Sequence, residues 1–168
     1  MHTYIFARAL KLAVSGAHVS KRRLALMVSV KPGSERRLAR DLMDALYPYD
    51  RGVHVEPLGG VLAVYSNLEP NDAEMILRNY PIRGILAIRL VVLESEAGDP
   101  RSSIEFLLKE AARRGLKFSR LELRSREGGR RELERYAQEI AKQLGLLGKG
   151  GAKARIEVIG SMSALCLK

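Results

Sequence analysis

The sequence predicts an α+β protein made of two successive units, with the order βαββαβ over 24–93 and αβαββ over 101–168. Short segments of alternating or continuous apolar residues predict strands, and apolar residues spaced three and four apart predict the helices between them. Clusters of Gly and Pro separate these segments, as expected of turns. The chain has 168 residues, of which 46% are hydrophobic. It can therefore form one compact domain or two small ones that share a face.

The first unit alternates short strands with two helices. In order, it contains a strand at 24–30, a helix after Ser34 that stops at Pro48, strands at 53–56 and 61–65 around Gly59-Gly60, a helix that begins within 67–71 and closes at Pro81, and a strand at 83–93. The apolar face of the second helix is predicted to contain Ala73, Ile76, Leu77 and Tyr80. The last strand is almost continuously apolar, which is typical of a sheet centre. This order is ferredoxin-like.

The second unit follows a predicted boundary at 97–100, Ala-Gly-Asp-Pro, which divides the chain into 1–98 and 99–168. In order, it contains a helix capped by Asp99 or Ser102 that runs to about Arg114, a strand at 117–126, a helix at 130–145, a strand at 154–159 and a short strand near 165–167. Residues 1–20 fit a helix, an edge strand or an N-terminal arm, and their pattern does not choose among the three.

The net charge of +10 is concentrated in the second unit. Residues 101–168 contain 16 of the 29 Lys and Arg but only 8 of the 19 Asp and Glu. Most of these 16 are Arg, whose planar guanidinium matches phosphate and stacks on bases. The excess predicts a polyanionic partner, with nucleic acid favoured over an anionic membrane. The alternative is a basic surface that has no partner.

The arginines of the strand at 117–126 have a regular spacing. Arg120, Arg124 and Arg126 share parity, so their side chains are predicted to point to one face of the sheet. Phe118 has the same parity although it is apolar, which predicts a bulge or a boundary near Ser119. These cations could follow a phosphate backbone.

Further cations lie on the neighbouring elements. Lys153 and Arg155 share the outer face of the later strand. Arg131, Arg135 and Lys142 lie along one side of the long helix, and Arg130 lies in its first turn. The alternative interpretation pairs these cations with nearby carboxylates in a solvated surface, because such pairs are common on helices. Those carboxylates are Glu122, Glu132, Glu134, Glu139 and Glu157.

Motifs of catalysis and metal binding are weak or missing. The three histidines lack the spacing of metal ligands. The segment 148–151, Gly-Lys-Gly-Gly, follows a helix and lacks the Ser or Thr of a P-loop, which excludes ATP binding there. Cys166, the single cysteine, lies in an apolar segment typical of a core and fits a reducing cytoplasm. No apolar segment approaches the roughly 20 residues of a membrane span.

The second unit resembles a THUMP domain, the RNA-binding module of several tRNA-modifying systems. The resemblance is carried by 116–118 leading into 121–126, by Arg-Glu-Leu-Glu at 131–134, and by Arg-Ile-Glu-Val-Ile-Gly at 155–160. The segment 80–85 also resembles the one that enters THUMP domains, and a ferredoxin-like domain commonly precedes them. The chain is most similar to stand-alone archaeal THUMP proteins, such as the adaptor of a tRNA cytidine acetyltransferase.

The resemblance implies binding of tRNA, at its acceptor end, on behalf of a catalytic partner such as a tRNA acetyltransferase. It implies no cofactor, no metal and no catalytic residue in this chain. With the cations of the long helix, the predicted RNA-binding residues are Lys117, Arg120, Arg124, Arg126, Arg130, Arg131, Lys153, Arg155, Gly160 and Ser161. Two features depart from the family: the acidic Glu127 after the strand, and the final segment Ala-Leu-Cys-Leu at 164–167.

Two other functions compete with this one. The first is a small RNA-modifying or nucleotide-processing enzyme with a site at the domain junction, where Glu94, Glu96 and Asp99 would supply titratable groups. The second is a basic protein bound to a membrane surface or a ribosome, with residues 3–14 as an apolar arm.

Overall fold

The computed structural model describes residues 22–126 and 128–168, so the predictions for residues 1–20 and Glu127 lie outside the described residues. The described strands are β1 (Arg23–Val30), β2 (His54–Pro57), β3 (Val61–Ser66), β4 (Ile85–Ser95), β5 (Phe118–Ser125), β6 (Ala152–Ile159) and β7 (Met162–Leu167). The described helices are α1 (Glu35–Leu46), α2 (Pro70–Arg78), α3 (Pro100–Arg113) and α4 (Arg130–Gln143). The predicted order of both units is confirmed.

All seven of these strands form one sheet, in the order β2-β3-β1-β4-β7-β6-β5. The first four strands are antiparallel to their neighbours, with β1 between β3 and β4, which confirms the ferredoxin-like arrangement. Strand β7 then pairs antiparallel with β4, so the sheet continues from the first unit into the second. Strands β5 and β6 are parallel at the far edge. The division at 98/99 stays a prediction.

Each of the described strands differs from its predicted bounds by one to three residues, and the extensions of β4 and β7 come from pairing. Strand β4 ends at Ser95 rather than 93, because Glu94 and Ser95 pair with Ala164 and Ser163 of β7. Strand β7 begins at Met162 rather than near 165, because it pairs on both sides, with β6 and with β4. Strand β7 is distant in sequence from β4, so a local pattern cannot indicate the extension of β4. The pairing of β7 with β6 is a hairpin across Gly160 and Ser161.

All four described helices pack on one face of the sheet. Helices α1 and α2 cover an apolar cluster that contains Leu26 and Val28, whereas α3 and α4 cover a second cluster that contains Ile156 and Leu165. Leu90 packs on the first cluster, and Leu167 packs on the second. These two residues are direct partners in β4 and β7 and therefore point to the same face, so both clusters lie on one side of the sheet. Each unit therefore has its own core.

One predicted core residue is wrong. Tyr80 is 53% exposed, although its spacing from Ala73 and Ile76 assigned it to the apolar face of α2. The helix ends at Arg78 with Asn79 as its C-cap, so the three- and four-residue spacing no longer applies at Tyr80. The side chain instead lies on the surface of the helical layer.

The opposite face of the sheet has an apolar centre made from strand residues. Its buried members are Leu24, Met27, Val61, Ala63, Val91, Ala164 and Cys166. The Cys166 thiol is fully buried, and that burial raises its pKa far above the usual value. This confirms the prediction that Cys166 fills a core. Towards β6 and β5, the apolar centre is followed by charged residues.

A buried carboxylate fixes the turn between α1 and β2. Asp50 accepts hydrogen bonds from the Ser66 hydroxyl at 2.8 Å, the Asn67 N–H at 2.9 Å and the Gly52 N–H at 3.0 Å. Burial alone would raise the pKa of Asp50, but these hydrogen bonds and the nearby Arg22 outweigh it and hold the pKa below its usual value. The ionised carboxylate therefore ties this turn to the end of β3.

We expect Asp50→Ala to lower the free energy of unfolding by about 3 kcal/mol, because three donors would be left without their charged acceptor. Asp41→Ala is the matched control: its carboxylate forms a surface pair with Arg37, and we expect a loss of about 0.5 kcal/mol or less. Urea unfolding at neutral pH measures both.

The contribution of Asp50 also depends on pH. Since the folded-state pKa is lowered from 3.8, the stabilisation is fully present above that value and is lost as the pH falls through the folded pKa. The difference between wild type and Asp50→Ala should therefore shrink in unfolding experiments below pH 4. A difference that stays constant down to pH 2 would contradict this assignment.

Candidate nucleic-acid interface

Strand β5 contains the bulge that its sequence predicts. The register between β5 and β6 shifts between Phe118 and Arg120. Phe118 is fully buried in the core beneath the helices, whereas Arg120 is exposed on the other face. Leu121 and Leu123 are buried on the helical side. The bulge therefore brings the arginines of β5 onto the open face of the sheet.

The parallel pairing of β5 with β6 brings opposite charges side by side. Its register pairs Arg120 with Lys153, Glu122 with Arg155, and Arg124 with Glu157. Direct partners point to the same face, so these six side chains form one charged area. We call this area the charged face.

Glu122 holds two arginines of the charged face. Its carboxylate lies 2.7 Å from Arg155 Nη2 and 3.1 Å from Arg120 Nε. The hydrogen bond from Arg155 is the main cause of the lowered pKa of Glu122. Arg120 and Arg155 are therefore paired with a carboxylate, as the alternative interpretation of a salt-bridged surface predicts.

Arg124 and Arg130 differ from Arg120 and Arg155 because no close ion pair holds them. Neither guanidinium forms a hydrogen bond or ion pair with any residue in 22–126 or 128–168. Both line a cleft of about 210 Å³ whose other walls are Glu122, Leu123 and Arg155. Helix α4 begins at Arg130, so its first turn contributes a cation to the end of β5. The cleft combines three guanidinium groups with one carboxylate.

Glu157 is a buried carboxyl group that lies close to several arginines of this area. Its side chain is 2% exposed and lies 3.7 Å from Arg155 Nη1. Burial raises the pKa of Glu157, while Arg124, Arg155, Arg89 and Arg126 act in the opposite direction. These arginines outnumber the two carboxylates near them, Glu122 and Glu157, so the area has an excess of positive charge.

Arg89 belongs to this area, and the sequence did not indicate it. Arg89 is 7% exposed, and its guanidinium donates to the Ser29 hydroxyl at 2.8 Å. Burial lowers the pKa of Arg89, and Arg155 lowers it further. The available signal was a single Arg inside the otherwise apolar segment 85–93, where a buried charge needs a partner from another strand.

Arg126 extends the basic area to the first unit. Its guanidinium approaches the turn between β2 and β3, where a Cβ added at Gly59 would clash with it. The Glu35 carboxylate accepts from the Gly60 N–H at 3.0 Å in the same turn and attracts Arg126 electrostatically. Gly59 has a φ of +63°, so a side chain there would also strain the turn.

The other predicted residues are spread over the same elements. Gly160 and Ser161 form the turn between β6 and β7, near the end of β5 that holds Arg124. Lys153 and Arg131 are exposed, on β6 and α4. Lys117 lies beyond the opposite end of β5, and its ammonium donates to the Gly145 carbonyl after α4. The structure therefore does not bring Lys117 together with Arg124 and Arg126.

The three residues proposed for a junction enzyme have different surroundings, although burial raises the pKa of Tyr65 and both Glu94 and Glu96 lie near enough to raise it further. Asp99 is the N-cap of α3 and accepts from the Ser102 N–H at 2.9 Å and from its hydroxyl at 2.8 Å. Glu94 and Glu96 are exposed. Within 22–126 and 128–168, no cluster of three or more His, Cys, Asp or Glu could hold a metal ion. No helix in these ranges has the length and apolar character to cross a membrane.

Comparisons with known proteins find similarity in structure only. No family model matches the sequence, and no curated protein matches it. The chain is similar to the crystal structure of PH1313 from Pyrococcus horikoshii Ot3, with a TM-score of 0.56 and 16% identity over 86% of this chain and 53% of that one. The likeness is one of fold.

Two further structures have a similar fold. One is a predicted N6-adenine-specific DNA methylase from Listeria monocytogenes str. 4b F2365, with a TM-score of 0.55 and 13% identity over 86% of this chain and 40% of that one. The other is a possible methylase from Clostridium difficile 630, with a TM-score of 0.52, 13% identity and the same coverage. The chain spans about half of the PH1313 structure and less than half of these two.

We expect Lys117→Ala to lower the free energy of unfolding by about 0.5 kcal/mol, because the ammonium stabilises a carbonyl at the C-terminal end of α4. Lys149→Ala is the matched control, since Lys149 is an exposed lysine in the loop that follows and forms no bond with a described residue. Urea unfolding of both variants tests the assignment. Equal stability of the two variants would contradict it.

Proposed function

We propose that this protein binds tRNA through the charged face and the adjoining cleft, and that it presents the tRNA to a separate modification enzyme without catalysing a reaction itself. The observation that supports this most directly is the cleft at the start of α4. Arg124, Arg130 and Arg155 meet there around one carboxylate, Glu122. An enzyme that acetylates tRNA cytidine is the kind of partner that the THUMP resemblance suggests.

The unpaired guanidinium groups favour a phosphate ligand. Arg124 and Arg130 form no hydrogen bond or close ion pair with a described residue, although Arg124 is attracted electrostatically by the buried Glu157. Guanidinium–phosphate pairs are strong and often bidentate. Arginines held by Glu122 and Glu157 would supply orientation and long-range attraction. Because the grooves of A-form RNA offer side chains little sequence information, recognition here would rest on shape and backbone contacts.

The fold comparisons support a binding role. One similar structure is a predicted DNA methylase, an enzyme class that acts on nucleic-acid bases, and this chain covers 40% of it. A chain that matches only part of such an enzyme fits a module that holds nucleic acid while another part, or another protein, carries out the chemistry.

We expect the double variant Arg124→Ala with Arg126→Ala to bind total tRNA roughly tenfold more weakly at moderate salt. The slope of the logarithm of the binding constant against the logarithm of the salt concentration should become shallower by about 1.5 to 2. Filter binding at several salt concentrations measures both quantities. Duplex DNA of similar charge serves as the competitor, and a preference for tRNA should persist at moderate salt.

A double variant on α1, Arg36→Ala with Arg40→Ala, is the matched control. It removes the same charge from two exposed arginines of the helical layer, so its tRNA affinity should fall much less. If both double variants lose affinity equally, or if tRNA and DNA bind equally at every salt concentration, the charge acts only as a nonspecific field and the proposal fails.

We expect Glu122→Gln to increase the affinity for tRNA by about two- to fivefold, because the change removes a negative charge and releases Arg120 and Arg155. Glu139→Gln is the control, since this exposed residue of α4 lies outside the cleft. Competition binding against wild type tests the expectation. An affinity that falls in Glu122→Gln would show that this carboxylate helps to form the site.

The adaptor role is tested separately from RNA binding. Addition of the purified protein should raise the rate at which a tRNA acetyltransferase modifies its tRNA, and the Arg124/Arg126 double variant should not. Conversion of tRNA or nucleotides by the purified protein alone would instead support the enzyme alternative.

A further inference from the structure

The helical layer of the first unit exposes a group of large apolar side chains. Tyr49 is 62% exposed, Met75 58% and Tyr80 53%. Single exposed apolar residues are ordinary on protein surfaces, but a contiguous group marks an interaction site. Tyrosine and methionine are also among the residues enriched in protein–protein interfaces.

These side chains line a groove of about 390 Å³ between the end of α1 and the outer side of α2. Its walls are Tyr49, Asp72, Met75, Ile76, Asn79 and Tyr80. The main chain fixes both aromatic walls: the Tyr49 N–H donates to the Leu46 carbonyl at 3.0 Å, and the Tyr80 N–H donates to the Leu77 carbonyl at 3.3 Å. The adjacent Asp50 network holds the Tyr49 turn in place. The groove is therefore built on ordered elements.

The groove contains one charged side chain among its described lining residues, Asp72, and no described Lys or Arg lines it. Asp72 forms no hydrogen bond or ion pair with a residue in the described ranges. Glu74 on the same helix differs, because Arg78 lies 2.6 Å from its carboxylate. Asp72 is exposed and lies in the first turn of α2, where the helix N-terminus already favours a negative charge. A ligand cation would give this carboxylate a direct partner.

We propose that this groove binds a segment of another protein in which a Lys or Arg is flanked by an apolar side chain. The cation would pair with Asp72, and its aliphatic stem would lie across the rings of Tyr49 and Tyr80. The flanking apolar side chain would pack on Met75 and Ile76. A second copy of this chain is a poorer occupant, since each copy carries a net charge of +10 and the copies repel each other.

RNA is also a poorer occupant of the groove. Phosphate would meet the Asp72 carboxylate and no cation, whereas the charged face offers several unpaired or partly paired arginines. The groove lies on the helical side of the sheet and the charged face on the other side, so both can be occupied together. This inference therefore does not depend on the tRNA proposal, and either can fail alone.

A random short-peptide library selected against the full chain tests the proposal. Enriched peptides should contain Lys or Arg next to an apolar residue. A synthetic peptide from the selection should bind Tyr80→Ala roughly tenfold more weakly than wild type and Asp72→Asn about fivefold more weakly. Asp44→Asn, which changes an exposed carboxylate of α1, should leave the affinity unchanged, as should the Arg124/Arg126 double variant.

Thermal melts of each variant confirm folding, and the altered residues of the groove are exposed, so loss of the fold is not expected. The proposal is overturned if nothing is enriched, if the peptides lack a basic residue, or if neither groove variant weakens binding. It is also overturned if an RNA oligonucleotide displaces the peptide, or if wild type sediments as a dimer that Tyr80→Ala dissociates, since the occupant is then RNA or a second copy.

Discussion

The antiparallel pairing of β4 with β7 is the interaction on which the rest of the structure depends. Strand β4 is shared: Leu90 pairs with Leu26 of β1 on one side and with Leu167 of β7 on the other. Because direct partners point to the same face, this register sets the helices of both units on one side of a single sheet. It also brings Arg89 of the first unit to the same face as Arg155 and Glu157 of the second.

On the open face of the sheet, some arginines have hydrogen-bond or ion-pair partners within the protein and others do not. Arg89 is buried and donates to Ser29, and Arg155 is held by Glu122. These partners make it possible to keep guanidinium groups beside the apolar centre around Met27 and Cys166. Arg124 and Arg130 lie at the outer edge, where no described carboxylate forms a hydrogen bond or a close ion pair with them. Positive charge that the protein does not neutralise is therefore concentrated where a ligand can reach it.

The two sides of the sheet present different chemistry to possible partners. The charged face is rich in arginine and suits phosphate, whereas the groove of Tyr49 and Tyr80 on the helical side contains Asp72 and no cation. The two ligands proposed above, RNA and a segment of another protein, would therefore not compete for one surface. The single sheet supplies a rigid spacer between them.

The sequence by itself determined the order of the elements, the bulge before Arg120 and the concentration of arginines in the second unit, because periodicity and composition are local properties. The prediction that Tyr80 lies on the apolar face of α2 was wrong, because it extended the helical spacing beyond Arg78, where the helix ends. Only the tertiary structure decided that Arg89 and Glu157 face each other, that Lys117 lies away from the cleft, and that Tyr49 and Tyr80 line a common groove. These relations depend on the pairing of strands and the packing of helices distant in sequence, about which the spacing within any one segment carries no information.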